Sequence, residues 1–167
     1  MTVEEVAFAG TGAELRGFEA VLEIHRQALD LLAARGAKRL AFYGHSNGGT
    51  QGAALSARDP RLAAVVIAAM GTHHARYLRR AGATDPEYLA AVERLDPIHF
   101  VGHPGPARLF QYGLRDTVVD RDSAYALYEA AAEPKAWREY DWDHGVDADP
   151  QARVDRYAFL DEELQPA

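Results

Sequence analysis

The stretch Arg39-Leu40-Ala41-Phe42-Tyr43-Gly44-His45-Ser46-Asn47-Gly48-Gly49-Thr50 decides the fold. Residues 39–43 form an apolar run suited to a buried strand, and a run of small residues, 50–57, suits a helix. Between them Gly44-His45-Ser46-Asn47-Gly48 makes a tight turn with Ser46 at its apex. A side chain held at such an apex projects beyond the sheet, and its backbone is forced into a sparsely populated conformation. The positions two before and two after are expected to collide if they carry a Cβ, so Gly44 and Gly48 are read as the residues that permit the turn. The helix that follows aims free N–H groups and a partial positive charge at the turn. Negative charge developing beside the Ser46 hydroxyl would be stabilised there.

Working outward, residues 3–9 suit a short strand, which Gly10-Thr11-Gly12 breaks. Over 14–35, Leu15, Phe18, Leu22, His25, Leu29 and Leu32 recur at helical spacing, with His25 read as a hydrogen-bonded residue at the edge of the core. Gly36 stands as the C-cap. Asp59-Pro60 ends the helix after the turn. The run 63–69, apolar on both faces, is expected to be a parallel strand covered on both sides. Residues 71–105 read as an irregular insertion with one helix near 86–95, placed as a lid or substrate wall.

A third strand is expected over 107–112, closed by Gly113-Leu114-Arg115-Asp116. Asp122 or Ser123 then caps a helix over 124–132. A last strand is expected over 137–142, followed by Asp143-His144-Gly145. Pro150 opens a terminal helix whose inner face is read as Val154, Tyr157, Ala158, Leu160 and Leu164.

Strand–helix units in series predict a mostly parallel sheet with helices on both faces. In such sheets ligands bind beyond the carboxyl ends of the strands, and Ser46, Asp116 and His144 each fall just past one. A serine hydroxyl needs a base to take its proton, and the base needs an acceptor to orient it. His144 suits the base and Asp116 the acceptor. Asp141 and Asp143 adjoin His144 too closely in sequence to reach its inner nitrogen, and Asp120 and Asp122 suit a helix start. His45 is set aside because neighbours at such a turn point different ways.

The remaining features narrow the function. The 167 residues, 48% hydrophobic, suit one domain over 1–167. A net charge of −7 argues against nucleic acid or an anionic membrane as the main partner. There is no cysteine, and the acidic first residues lack an apolar signal core, so a cytoplasmic location is expected. No stretch approaches the ~18 apolar residues of a membrane span. For the histidines His73, His74, His99 and His103, Gly102 and Pro104 spoil helical spacing of the last two and no carboxylate cluster accompanies the set, so neither a metal nor an organic cofactor is expected. Arg76, Arg79 and Arg80 are read mainly as a solvated face, with an anion-binding module as a distant reading.

At Gly44-His45-Ser46-Asn47-Gly48-Gly49, Gly113-Leu114-Arg115-Asp116 and Asp143-His144-Gly145 the chain resembles the α/β-hydrolase superfamily, in its dienelactone-hydrolase-like and peptidase-like esterase branch. The runs from Asp59 to Val66 and from Glu133 to Lys135 resemble that branch too. The resemblance implies Ser46 as nucleophile, Asp116 as acid, His144 as base and the Asn47 N–H as one oxyanion donor. It implies a serine hydrolase acting on a small ester or acyl substrate. The chain departs from the pattern in having room for only one strand before the first long helix. The alternative reading is therefore a shortened, catalytically impaired remnant that binds a ligand or partner. An exposed strand edge at 39–43 is expected to pair with residues 3–9 or with a second copy in a homodimer. Gly10-Thr11-Gly12 is one candidate source of a second oxyanion donor, whose origin the sequence leaves open.

Overall fold

The computed structural model describes residues 12–165. Helix α1 (Gly12–Ala34) leads into strand β1 (Leu40–His45), α2 (Asn47–Ser56) and β2 (Leu62–Ala68). Three short helices follow, α3 (His74–Arg80), α4 (Pro86–Arg94) and α5 (Ile98–Val101). Then come β3 (Ala107–Gly113), α6 (Arg121–Ala130), β4 (Lys135–Tyr140), a single 3₁₀ turn at Val146–Ala148 and α7 (Pro150–Leu164).

The four strands form one parallel sheet in the order β1-β2-β3-β4. Each strand lies beside the next in sequence, as short right-handed crossovers favour. The register pairs His45 with Ala68, Ala68 with Gln111 and Gly113 with Tyr140. The carboxyl ends are therefore level, and the segments that follow β1, β3 and β4 leave from one edge of the sheet.

One face of the sheet, with Val65, Ile67 and Phe110, packs on Leu22 and Leu29 of α1, Ala53 to Leu55 of α2 and Leu127 of α6. The other face meets α7 and the 3₁₀ turn through Ala68, Tyr140, Val146 and Ala152. Buried Gln111 donates to the Tyr140 hydroxyl and the Ala152 carbonyl, and Tyr140 donates to Asp155, which fixes α7 on the sheet. Among the described residues β1 is an outer strand, paired on one side by β2. The strand expected over 3–9 lies outside the described residues.

Several expectations are corrected. Residues 71–105 hold three helices rather than one. The start of α4 was legible in its Asp85 cap and Pro86, whereas α3 starts without a side-chain cap. Helix α6 starts a turn earlier than expected, because Asp120 rather than Asp122 or Ser123 supplies the capping oxygen. Helix α7 buries Ala152 and Arg156, while Val154 and Tyr157 face outward and are about 60% exposed. Small Ala152 packs on the sheet, and the Tyr140–Asp155 hydrogen bond and the Arg156 contact with Tyr43 orient the rest of that inner face. On α1 Leu32 is exposed, although Leu22 and Leu29 are buried as expected. His25 bonds Gln51 at 2.8 Å and stands edge-on to Phe42, the expected core-edge role.

Candidate active site

Ser46 sits at the junction of β1 and α2 with φ 52° and ψ −123°. A non-glycine residue at positive φ costs on the order of 1–3 kcal/mol and persists only where its surroundings enforce it. Here the Ser46 N–H donates to the Ala68 carbonyl at 2.8 Å, and its carbonyl accepts from the Gly49 N–H at 2.7 Å. The turn is thus pinned to β2 on one side and to α2 on the other. The sequence reading of its glycines is half right. A Cβ on Gly44 would lie 2.0 Å from the Gly48 carbonyl oxygen, so Gly44 is required. A Cβ on Gly48 would meet nothing within 4 Å. The second steric demand falls on Gly49, whose Cβ would come 2.8 Å from Met70 Cβ. The reason is tertiary: α2 presses on β2 and Met70 at Gly49, while Gly48 faces open space.

The segment after β3 brings in Asp116. Its side chain is wholly buried, and Oδ1 accepts from the Val118 and Val119 N–H groups at 2.8 and 3.0 Å. Tyr112 donates its hydroxyl to the Val119 carbonyl at 2.9 Å. Burial first, and the neighbouring Asp116 carboxylate second, push the Tyr112 phenol up to about 12, so it remains a donor at neutral pH. The segment after β4 is stitched to this one by hydrogen bonds from Leu114 N–H to the Tyr140 carbonyl and from Arg115 N–H to the Trp142 carbonyl. That close approach tolerates only glycine at 113, where a Cβ would lie 2.2 Å from the Asp143 carbonyl oxygen.

His144 completes the set. Its Nδ1 lies 2.9 Å from Asp116 Oδ2 and its Nε2 lies 3.0 Å from Ser46 Oγ. The ring is partly buried, so Asp116 is screened from water while one edge of the imidazole remains reachable. A carboxylate acceptor at Nδ1 assigns the proton there and leaves the Nε2 lone pair toward the serine hydroxyl. The three side chains expected together are brought together. The alternatives are engaged elsewhere: Asp143 accepts from the Gly145 N–H, Asp141 pairs with Arg115, and Asp120 caps α6.

Asn47, expected as an oxyanion donor through its N–H, is the first residue of α2, where helical geometry leaves N–H groups without helical acceptors. Of the segment offered as a candidate second donor, Gly10 and Thr11 lie outside the described residues and Gly12 opens α1. Ser46 and Asn47 form part of the wall of a cavity of about 800 Å³. Its other walls include Met70 and Thr72 after β2, Tyr77 of α3, Tyr88 of α4 and Ser123 of α6. Several residues of the 71–105 segment line this cavity. Arg76 and Arg80 of α3 line it, as do Asp120 and Asp122. A second cavity, of about 790 Å³, opens at the amino ends of the strands near Leu40, Leu62 and Ala107, away from Ser46.

The histidine doublet has a structural part. His73 takes a left-handed conformation that turns the chain into α3. The His74 N–H donates to buried Asp96, which also accepts from the Thr72 hydroxyl and the Ile98 N–H. Burial lowers the His74 imidazole pKa, with nearby Asp96 opposing. Among the described residues no group of three or more His, Asp or Glu side chains could hold a metal ion, and no helix is long and apolar enough to cross a membrane.

One site neighbour escaped the sequence reading. His45 Nε2 lies 2.6 Å from the His144 carbonyl oxygen and 3.6 Å from Asp147 Oδ1. Period-two alternation does place His45 on the face of β1 opposite Phe42 and Gly44. Nothing local tells that the segment after β4 returns across the sheet to meet it.

No protein-family model matches the chain, and no curated protein matches it significantly. Solved structures do. The esterase domain of a Rhodothermus marinus protein is 21% identical, with a TM-score of 0.67 over 86% of this chain and 68% of its own. The acetyl xylan esterase from Paenibacillus sp. R4 is 20% identical, with a TM-score of 0.74 over 96% of this chain and 60% of its own. The enol-lactonase from Burkholderia xenovorans LB400 is 19% identical, with a TM-score of 0.59 over 86% of this chain and 72% of its own. The chain spans only about 60–70% of the length of these structures. At such identities the likeness speaks for architecture: the chain has the fold of the α/β hydrolases, in a form shorter than that of its structural neighbours.

Proposed function

We propose that the chain is a serine hydrolase that cleaves a carboxylic ester or a related acyl bond. The observation that carries this reading is the position of His144, within hydrogen-bond distance of Ser46 Oγ on one side and Asp116 on the other. Ser46 Oγ attacks the acyl carbonyl as His144 Nε2 takes its proton. Asp116 holds the ring and stabilises the imidazolium. The oxyanion forms beside the Asn47 N–H and the positive end of α2. His144 then gives the proton to the departing alcohol, which leaves an ester on Ser46. Water, deprotonated by the same nitrogen, releases the acid and restores the hydroxyl. The steps use the chain's own side chains and one water, with no metal or organic cofactor.

A second reading keeps a specific observation. Among the described residues one oxyanion donor is evident, and loss of a single donor costs about 10²–10³ in turnover. A ligand- or partner-binding module with little activity would follow from that deficit. A fluorophosphonate probe with 4-nitrophenyl acetate turnover separates the readings. The hydrolase reading expects labelling on Ser46, abolished in Ser46→Ala and strongly slowed in His144→Ala and Asp116→Asn. Folded protein that neither labels nor turns over ester at pH 8 would refute it and favour the binding module.

A further inference from the structure

His144 acts on a serine three strands away. It follows β4, whereas Ser46 follows β1, and neighbouring strands lie about 4.8 Å apart, so the segment must reach back over roughly 14 Å of sheet. Asp116 holds only the far nitrogen of the ring, from the β3 side. On the β1 side the main chain of His144 is held by His45, the residue immediately before the nucleophile. The acceptor is a carbonyl, which cannot donate, so the proton of that 2.6 Å hydrogen bond belongs to His45 Nε2. The two imidazoles lie with centroids 5.1 Å apart at 59°, too tilted to stack.

The support for His45 continues into α7. Asp147, one turn beyond His144, has Oδ1 3.6 Å from His45 Nε2. The Asp147 carbonyl accepts from Arg156 Nη2 at 3.1 Å, and the Arg156 guanidinium lies 4.1 Å from the centre of the Tyr43 ring. Tyr43 and His45 are two apart on β1 and so share a face. Strand β1 thus grips the returning segment twice, through Tyr43 at Arg156 and through His45 at His144.

We propose that His45 is a positioning residue for His144: with Nε2–H on the His144 carbonyl, it sets the distance from the base to Ser46 while Asp116 sets the ring's orientation. The proposal rests on the hydrolase reading for its consequence but not for its contact. With His45 holding a carbonyl, its Nε2 is not a competing base for Ser46. Its removal lets the 143–148 segment relax away from β1, and about 1 Å of misplacement at reacting atoms costs on the order of 10² in rate.

The test compares His45→Gln, whose side-chain amide can donate to the same carbonyl, with His45→Met, similar in length but without a donor. His45→Met is expected to lower kcat for 4-nitrophenyl acetate and the fluorophosphonate labelling rate together by about 10–100-fold, with KM changed less than about twofold. His45→Gln is expected to recover most of that loss. Hydrogen-exchange mass spectrometry of peptides spanning 141–149 gives a readout independent of activity, with faster exchange expected in His45→Met and not in His45→Gln. Equal labelling and equal exchange in the two variants would overturn the proposal, as would a rate loss that Gln fails to recover. A wild-type protein that never labels, yet shows the exchange difference, would refute the hydrolase reading and leave the His45 clamp standing.

Discussion

Substituting alanine at Gly44, Gly48 and Gly49 separates the sterics of the turn from its sequence pattern. At Gly44 the added Cβ would lie 2.0 Å from the Gly48 oxygen, about 1.3 Å inside an ordinary C···O contact of about 3.3 Å. The obstructing atoms are backbone, with the Gly48 carbonyl carbon at 2.3 Å and the Gly49 nitrogen at 2.8 Å, so no rotamer change relieves the clash. The first turn of α2 must lift by about 1 Å, carrying the Asn47 N–H and the Ser46 hydroxyl with it. Overpacking of this kind costs typically 1–3 kcal/mol. In a domain of this size each kcal/mol lowers Tm by about 2–4 °C. The same displacement at the reacting atoms lowers ester turnover on the order of 100-fold. Gly48→Ala should do the reverse for stability: the site is open and helical, and alanine gains about 0.5–1 kcal/mol over glycine there. Gly49→Ala should fall between, because the flexible Met70 side chain can move away from part of its clash. Thermal unfolding and 4-nitrophenyl acetate turnover of the three variants decide the matter. The reasoning is refuted if Gly44→Ala keeps wild-type Tm and turnover, or if Gly48→Ala is the most damaging of the three.

Two further outcomes are expected. The Arg61 guanidinium, which bonds Asp59 and Asp30, is the main reason the buried Asp59 carboxyl titrates below its usual range. Because the folded value is depressed, the associated stability is complete above the unfolded pKa near 4 and is lost as pH falls through the lower folded value. Arg61→Met should therefore be clearly less stable to urea than the parent at pH 7, with the gap narrowing as pH falls below the unfolded carboxyl value of about 4. A gap independent of pH would contradict that assignment. Arg76 and Arg80, one turn apart on the cavity wall, should favour esters with a carboxylate in the acyl chain over neutral ones. Exposed ion pairs contribute about 0.2–1 kcal/mol each, so Arg76→Gln with Arg80→Gln should reduce that preference in kcat/KM by roughly 2–30-fold, less so in 0.5 M salt. An unchanged ratio of carboxylated to neutral ester would remove the arginines from substrate selection.

The reach and the failures of the sequence reading have physical causes. Residues 39–50 spell out strand, turn and helix because their determinants are local: an apolar run, a glycine that removes a backbone clash at short range, and a run of small residues. Asp116 and His144 were legible because one lies just past an apolar strand and the other just past an alternating one, and parallel strands place such positions on one edge. The demand at Gly49 was hidden because it comes from Met70, on another strand's exit. The inner face of α7 was misread because Arg156 and Asp155 bury themselves against Tyr43 and Tyr140, partners far away in sequence.

By itself, then, the sequence determined the alternation of strands and helices, the parallel sheet and the three residue types that meet at its edge. Those follow from periodicity and from steric limits within a few residues. The tertiary structure alone decided that β4's exit doubles back over the sheet to rest on His45, and which helices wall the space beside Ser46. Such contacts join residues about 25 to a hundred positions apart, and their energies are set by packing geometry that no local pattern encodes.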